Sequence, residues 1–351
     1  MVDLSSIQKI LIIRMSSIGD IILTSPVIRQ VREQFPYAQI DYLVRREFAE
    51  LVKYNSHLSN VIELKDRRDS AEAAQLKQQI QAEGYDVIVD LHRNIRSRRL
   101  CQFAGHPPIF AVKKNQLIRF LYVNFKINRY KKSSGGIRSV TEKYLRAAAP
   151  LGISFDDQQL DLSLSSRDMA FAENMWVDLK REHFGAVMAP GARHFTKRWP
   201  ADYYARLICL IFEKTGKKTL LLGGPDEIDT IAEIQKSAGT DTIKSLAGDI
   251  SLAETLAVIK KSPFFISNDS GLMHAAAAAG IPQIAIFGST TQELGFFPLN
   301  KKAVVLENKD LACRPCSHIG KSACPKRHFK CMLEITPESV FQQLMKMQNR
   351  T

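Results

Sequence analysis

The chain has 351 residues, 45% of them hydrophobic and 24% charged, with no low-complexity tract, and its formal net charge is +13. That length can bury cores for two domains, and the composition excludes a disordered or fibrous protein. No apolar run approaches the ~20 residues needed to span a bilayer, and the apolar run 10–13 between Lys9 and Arg14 reads as a strand rather than a leader, so a cytoplasmic protein is expected.

Residues 9–14 (KILIIR) form a continuous apolar run of the kind that sits inside a parallel sheet. A turn at 15–20 (MSSIGD) leads to a helix predicted over 21–35, stopped before Pro36. A strand at 40–44, a helix at 47–54, a strand at 61–64, an amphipathic helix at 70–83 and a strand at 85–91 (YDVIVDL) follow. This alternation predicts a doubly wound parallel sheet. Residues 92–99 leave it with four arginines, Arg93, Arg96, Arg98 and Arg99. Residues 109–136 read as a short strand, basic segments and a loop at 133–136, and 140–151 as a helix.

Positive charge gathers in this part of the chain. Residues 91–146 hold 14 Lys and Arg against one acid, Glu142. Residues 1–155 carry 25 basic against 14 acidic side chains, whereas 156–351 carry 24 against 22. The segment implies an anionic partner (nucleic acid, an acidic membrane surface or an acidic glycan) or a solvated basic face.

The polar stretch 152–168 marks a boundary between a first domain, 1–160, and a second, 161–351, with the last helix left open to pack back on the first. The pattern then restarts: a helix at 167–182, a strand at 186–189, a polar loop at 190–200, a helix at 201–215, a strand at 218–222, a turn at 223–227 and a helix at 228–237. A short strand at 244–246 and a helix at 251–261 come next, the latter opened by Ser251 with Glu254 at capping-box spacing. Residues 264–282 read as a buried strand, a tight polar turn and a small-residue helix stopped by Gly280-Ile281-Pro282. A strand at 283–287 follows at once, and 336–349 is the last helix, with Pro337 in its first turn. Two α/β halves facing one another would form a cleft at the carboxyl ends of their strands.

Several groups stand where ligands of such folds bind. No Gly-x-Gly-x-x-Gly follows either first strand and no NTPase phosphate loop occurs, which disfavours dehydrogenases and P-loop enzymes. Asp20, at the first strand-to-helix turn, is either a general base toward a hydroxyl or a helix-cap acid. Thr196, Lys197 and Arg198, just before a helix, suit a diphosphate. Glu227, after Gly-Gly-Pro-Asp, suits a ribose diol. The turn at Asp269-Ser270-Gly271-Leu272 offers backbone N–H groups and a helix dipole to an anion, or is a plain crossover. His274, one step into that helix, is either a ligand contact or a core residue. Cys101 and Cys209 read as buried thiols. Cys313, Cys316, Cys324 and Cys331, with His318 and His328 interleaved, read as a structural zinc site, a disulfide framework or a set of free thiols, remote from catalysis.

Taken together, residues 10–26 (ILIIRMSSIGDIILTSP), 90–97 (DLHRNIRS), 190–200 (PGARHFTKRWP), 223–227 (GGPDE) and 268–280 (NDSGLMHAAAAAG) resemble the ADP-heptose:lipopolysaccharide heptosyltransferases, glycosyltransferase family 9. The Lys-Arg-Trp-Pro form and the Cys-rich tail resemble the heptosyltransferase II branch. The resemblance implies a GT-B type α/β protein of two Rossmann-like domains. The second would bind the nucleotide sugar, and the basic first would bind the phosphorylated inner core of lipopolysaccharide. It implies Asp20 as catalytic base and Lys197, with Thr196 beside it, at the diphosphate. Glu227 would lie at the ribose, Asp269, Ser270, Gly271, Leu272 and His274 at the donor turn, and Arg93 and Arg96 on the acceptor side. His92-Arg93 departs from the family's frequent Gln and small residue. The implied reaction is direct displacement with inversion, with no cofactor required for catalysis. The implied setting is the cytoplasm of a Gram-negative bacterium, with peripheral contact at the inner membrane and no nucleic acid. Another nucleotide sugar, a GT-B-fold sugar-nucleotide epimerase and a nucleic-acid-binding module are the alternatives; Phe120, Tyr122, Phe125 and Tyr130 among the basic residues would serve the last by stacking.

Overall fold

The computed structural model describes residues 3–65, 70–130, 139–154 and 157–349. The chain divides into two compact units, Met1–Asn115 with Ser139–Leu164, and Gln116–Arg138 with Ser165–Thr351.

The first unit is built on five parallel strands: β1 (Lys9–Ile13), β2 (Gln39–Arg45), β3 (Asn60–Leu64), β4 (Val87–Asp90) and β5 (Ile109–Ala111). Their order is β3-β2-β1-β4-β5. β1 is central because its apolar residues, Ile10 to Ile13, need cover on both faces, and all four are fully buried. In register, Ile13 lies opposite Leu43 on one side and Asp90 on the other. The order reverses between β1 and β4, which opens a crevice at their carboxyl ends.

The helix predicted over 21–35 is two helices, Ile18–Ile22 and Ser25–Gln34. Pro26 sits in the first turn of the second and has no N–H to continue the first. The Thr24 hydroxyl takes over at the break, donating to the Ile21 carbonyl at 2.7 Å and meeting the Tyr42 hydroxyl at 2.9 Å. The break leaves Asp20 in the first turn of a one-turn helix. The predicted helix at 47–54 is a 3-10 turn, Arg46–Leu51.

The second unit has six parallel strands in the order β11-β10-β9-β6-β7-β8. They are β6 (Phe184–Ala189), β7 (Lys218–Leu221), β8 (Ile243–Ser245), β9 (Phe265–Asn268), β10 (Gln283–Phe287) and β11 (Ala303–Glu307). β11 is an addition to the sequence reading. The reversal here falls between β6 and β9, so the 190–200 loop and the turn after Asn268 leave the sheet side by side.

One placement differs from expectation, and one left open is resolved. Residues 116–125, read as a basic segment of the first domain, form a helix, Gln116–Phe125, that belongs to the second unit. Its Tyr122 ring meets Tyr130 edge-on at 5.7 Å and packs with Leu294. The Tyr122 hydroxyl donates to Glu293 at 2.9 Å, a tie across 171 positions of sequence. The last helix, Pro337–Gln348, also stays with the second unit: Val340 and Leu344 join Trp199 and Tyr204 in its core. The loop predicted at 133–136 lies outside the described residues. Among the described residues, no helix is long and apolar enough to cross a membrane.

Candidate functional site

Each unit concentrates polar groups at its reversal point. In the first, the centre is Asp20. Ser17 caps the one-turn helix and donates its hydroxyl to Asp20 Oδ2 at 3.0 Å. Tyr144, from the helix Val140–Ala148, donates to Oδ1 at 3.1 Å. Arg14, the residue after β1, pairs with Oδ2 at 2.8 Å. Arg14 is itself anchored, donating to the Leu91 carbonyl at 2.7 Å with its guanidinium 5.3 Å from the Tyr144 ring centre. Burial works against ionisation of Asp20, but the Arg14 charge and the hydrogen bonds from Ser17 and Tyr144 outweigh it and hold the carboxyl below the usual carboxylate range. Burial in turn raises the Tyr144 phenol well above its ordinary value, so Tyr144 stays a donor.

Asp90, at the end of β4, shapes the neighbouring turn. It is buried and accepts from the backbone N–H groups of His92 and Arg93 and from the Ser97 hydroxyl at 2.9, 2.7 and 2.8 Å. Burial, with the charges of Arg14 and Lys114, lowers the His92 pKa to about 3, so the imidazole is neutral near pH 7. Its Nδ1 is buried without a hydrogen-bond partner. Arg93 is partly committed to structure, donating to the Val112 carbonyl at 2.8 Å. Arg96 is half-buried in the first turn of the helix Ile95–Cys101.

In the second unit, Lys197 ends a 3-10 turn, Phe195–Lys197, and its ammonium lies 2.7 Å from Asp269 Oδ2. Thr290, beyond β10, donates to the same oxygen at 2.6 Å. Asp269 is almost fully enclosed, at 4% exposure against 14% for Lys197. The carboxylate therefore holds the ammonium in place at the rim. Ser270 starts the helix Gly271–Ala278 without capping it, and its hydroxyl oxygen is buried and unpaired. The first-turn N–H groups of that helix, Gly271 and Leu272 among them, have no intrahelical acceptor. His274 is buried on the same helix, its ring 6.4 Å from Phe296.

Glu227 reaches back from the next loop. Its carboxylate accepts from Gly224 N–H at 2.7 Å, and a Cβ on Gly191 would lie 2.4 Å from its Cγ, so a side chain at 191 would push Glu227 out of this position. Thr196, expected beside Lys197 at the diphosphate, is held from the other side. It is 1% exposed, its hydroxyl accepts from Lys321 N–H at 2.8 Å, and its N–H donates to the Lys321 carbonyl at 3.1 Å. It anchors the loop that presents Lys197.

The cysteine segment forms the other side of that anchor. Cys313, Cys316, Cys324 and Cys331 are free thiols, and burial pushes Cys331 up to about 12. Cys313 Sγ lies 3.8 Å from His328 Nε2. Among the described residues, no three or more His, Cys, Asp or Glu side chains are grouped to hold a metal ion. What the segment does hold is the loops that carry Lys197 and Thr290. Arg314 donates to the carbonyls of Gly288 and Thr290 at 2.5 and 2.7 Å and pairs with Glu307 at 2.8 Å. Cys316 N–H donates to the Ser289 carbonyl at 3.2 Å. Gly320, at φ 108°, lets the backbone pass His194 where a Cβ would lie 2.4 Å from that residue's Cβ.

The sequence gives Thr290 and Arg314 no role, and Asn268 only a place at the head of the 268–280 motif. Asn268 donates to the Pro190 carbonyl at 2.6 Å and accepts from Trp199 N–H at 3.0 Å, stitching the 190–200 loop to β9. Its signal was present: an amide that ends a buried strand needs partners on both of its atoms.

A family model described as glycosyltransferase family 9 (heptosyltransferase) matches residues 73–326. Lipopolysaccharide heptosyltransferase 1 of Pseudomonas aeruginosa is 25% identical over 318 residues, covering 88% of this chain and 86% of its own. Lipooligosaccharide heptosyltransferase 2 of Campylobacter jejuni is 26% identical over 341 residues, covering 96% and 97%. The structure of E. coli ADP-heptose lipopolysaccharide heptosyltransferase II matches with a TM-score of 0.74 at 22% identity, over 98% of this chain and 100% of that one. That likeness is one of fold: two parallel α/β sheets with helices, of GT-B type.

Proposed function

Because the chain belongs to glycosyltransferase family 9, the heptosyltransferases, we propose that it moves heptose from ADP-heptose to the inner core of lipopolysaccharide, with inversion at the anomeric carbon. The observation that carries this reading is Asp20, a carboxylate kept ionised by Arg14, Ser17 and Tyr144 at the carboxyl end of β1. An acceptor hydroxyl gives its proton to Asp20 as its oxygen bonds to the anomeric carbon. The bond from that carbon to the β-phosphate oxygen breaks, and its electron pair leaves with ADP. Asp20 is a weak base, so the transfer runs late, when the attacking oxygen has become acidic. His92, neutral beside it, does not compete as a cation for the carboxylate.

The leaving diphosphate gains negative charge. Lys197 and the unpaired N–H groups at Gly271 and Leu272 are suited to offset it. Glu227 is the acceptor for ribose hydroxyls. Arg93 and Arg96 are the acceptor-side cations for core phosphates. The steps use no cofactor. The acceptor is a membrane glycolipid, so the enzyme works at the cytoplasmic face of the inner membrane of a Gram-negative cell. The donor names of the relatives support ADP-heptose; the tail and the Lys-Arg-Trp-Pro loop support the heptosyltransferase II branch.

A thermal-shift panel with ADP, UDP and GDP, followed by transfer assays with the matching sugars, tests the donor. ADP is expected to raise the melting temperature most. A larger shift with UDP would replace ADP-heptose with another nucleotide sugar.

A further inference from the structure

The helix Gln116–Phe125 is apolar on two sides, and only one side is covered. Its inner side is accounted for: Tyr122 and Ile118 pack with Leu294, Phe296 and Tyr130. The chain after it is pinned as well, since Lys126 donates to the Pro315 carbonyl at 2.6 Å. The outer side carries Leu117 at 70% exposure, Phe120 at 54% and Phe125 at 61%, with Ile127 just beyond at 44%. Helical spacing puts Leu117, Phe120 and Asn124 in one row, with Leu121 and Phe125 beside it. Phe120 and Phe125 touch edge to face at 5.8 Å. Four large apolar side chains open to water within eleven residues form a patch rather than scattered surface residues.

The sequence that carries the patch has charge of one sign. Residues 113–132 contain seven Lys and Arg and no Asp or Glu. The carboxylate that this helix does meet, Glu293, is on the inner side, where Tyr122 and Asn128 donate to it at 2.9 and 3.2 Å. A second copy of the chain fits poorly, because a two-fold contact would press these cations against each other. Exposed apolar side chains interspersed in sequence with cations match a surface with a negative face and an oily interior.

We propose that the outer face of the helix Gln116–Phe125, with Ile127, is a membrane-docking element that inserts Leu117, Phe120 and Phe125 into the headgroup boundary of an anionic phospholipid bilayer. The inner contacts hold the helix rigid, so the phenylalanines are presented ready to insert. The surrounding Lys and Arg draw the chain to the bilayer, and the apolar side chains retain it. This goes beyond the transfer reaction proposed above. It is tested on vesicles that carry no sugar acceptor, so its failure leaves that reaction untouched.

The experiment is flotation of the full chain with vesicles of equal parts phosphatidylglycerol and phosphatidylcholine, against phosphatidylcholine alone. Binding to the anionic vesicles is expected, weakened by salt. Phe120→Ser combined with Phe125→Ser should reduce the bound fraction by about tenfold or more. Phe125→Trp replaces one exposed ring by another and serves as the reporter. Its emission should shift to the blue with anionic vesicles and be quenched by brominated acyl chains. Equal binding to both vesicle types, or emission from the introduced indole that stays water-like on bound vesicles, would overturn the proposal. A dimer in sedimentation that the double substitution dissociates would assign the face to a second copy instead.

Discussion

The two reversal points hold the same pair of groups in opposite senses. In the first unit the cation is anchored: Arg14 is tied to Leu91 and set beside Tyr144, and it carries Asp20. In the second unit the carboxylate is anchored: Asp269 is enclosed and held by Thr290, and it carries Lys197. An ion pair at the mouth of a sheet is thus not one device. The partner fixed by the fold is the support, and the other is the working group. In the proposed reaction the first arrangement would offer a base, the second a positive charge for a leaving group.

Breaking the first pair should have the largest effect. Asp20→Asn keeps the shape and removes the base, and kcat is expected to fall by about 10³-fold with ADP affinity nearly unchanged by calorimetry. Near-normal turnover would leave Asp20 as a helix cap. Lys197→Ala acts on the second pair and should cost about 10²-fold or more in kcat, with weaker ADP binding as well. A loss confined to KM would remove its role in the leaving step.

The supports should matter less than the groups they carry. Thr290→Val removes one hydrogen bond from Asp269, worth about 1 kcal/mol. Donor KM should rise about fivefold, with a smaller change in kcat, in initial-rate kinetics. Tyr144→Phe sharpens the comparison through pH. Asp20 must be ionised to act, and its folded pKa is depressed, so the acid limb of kcat/KM lies below the ordinary carboxylate range. Removing the Tyr144 donor raises that pKa, and the limb should move to higher pH. The sign for stability agrees: what Asp20 contributes is present above its unfolded pKa and is lost as pH falls through the depressed folded value. A limb that stayed in place would mean the Tyr144 bond is absent in solution.

The two sheets were legible from the chain because parallel strands buried on both faces read as apolar runs, as at 9–14 and 264–268. Asp20, Lys197 and the turn at Asp269 were legible because each ends or follows such a run. The break at Leu23-Thr24 was obscured by apolar residues whose helical spacing continues on both sides of it. The helix Gln116–Phe125 reads in the sequence only as a basic segment of the first domain, because its partners, Leu294 and Phe296, are distant in sequence. β11 follows a loop and is only half-buried, so its pattern was weak. Thr290 and Arg314 were missed for a related reason. Each acts through carbonyls or a carboxylate contributed by another segment, and no local pattern encodes that.

The lacing between the 190–200 loop and the cysteine segment has a consequence for anyone exchanging this loop between relatives. Thr196 and Lys321 exchange two hydrogen bonds, Cys316 binds Ser289, and Gly320 slides under His194. A graft of residues 190–200 alone would bring a loop whose counterpart is foreign. Any transplantable cassette is discontinuous, joining 190–200 at least to 313–321, and a chimera designed by contiguous sequence would separate its halves.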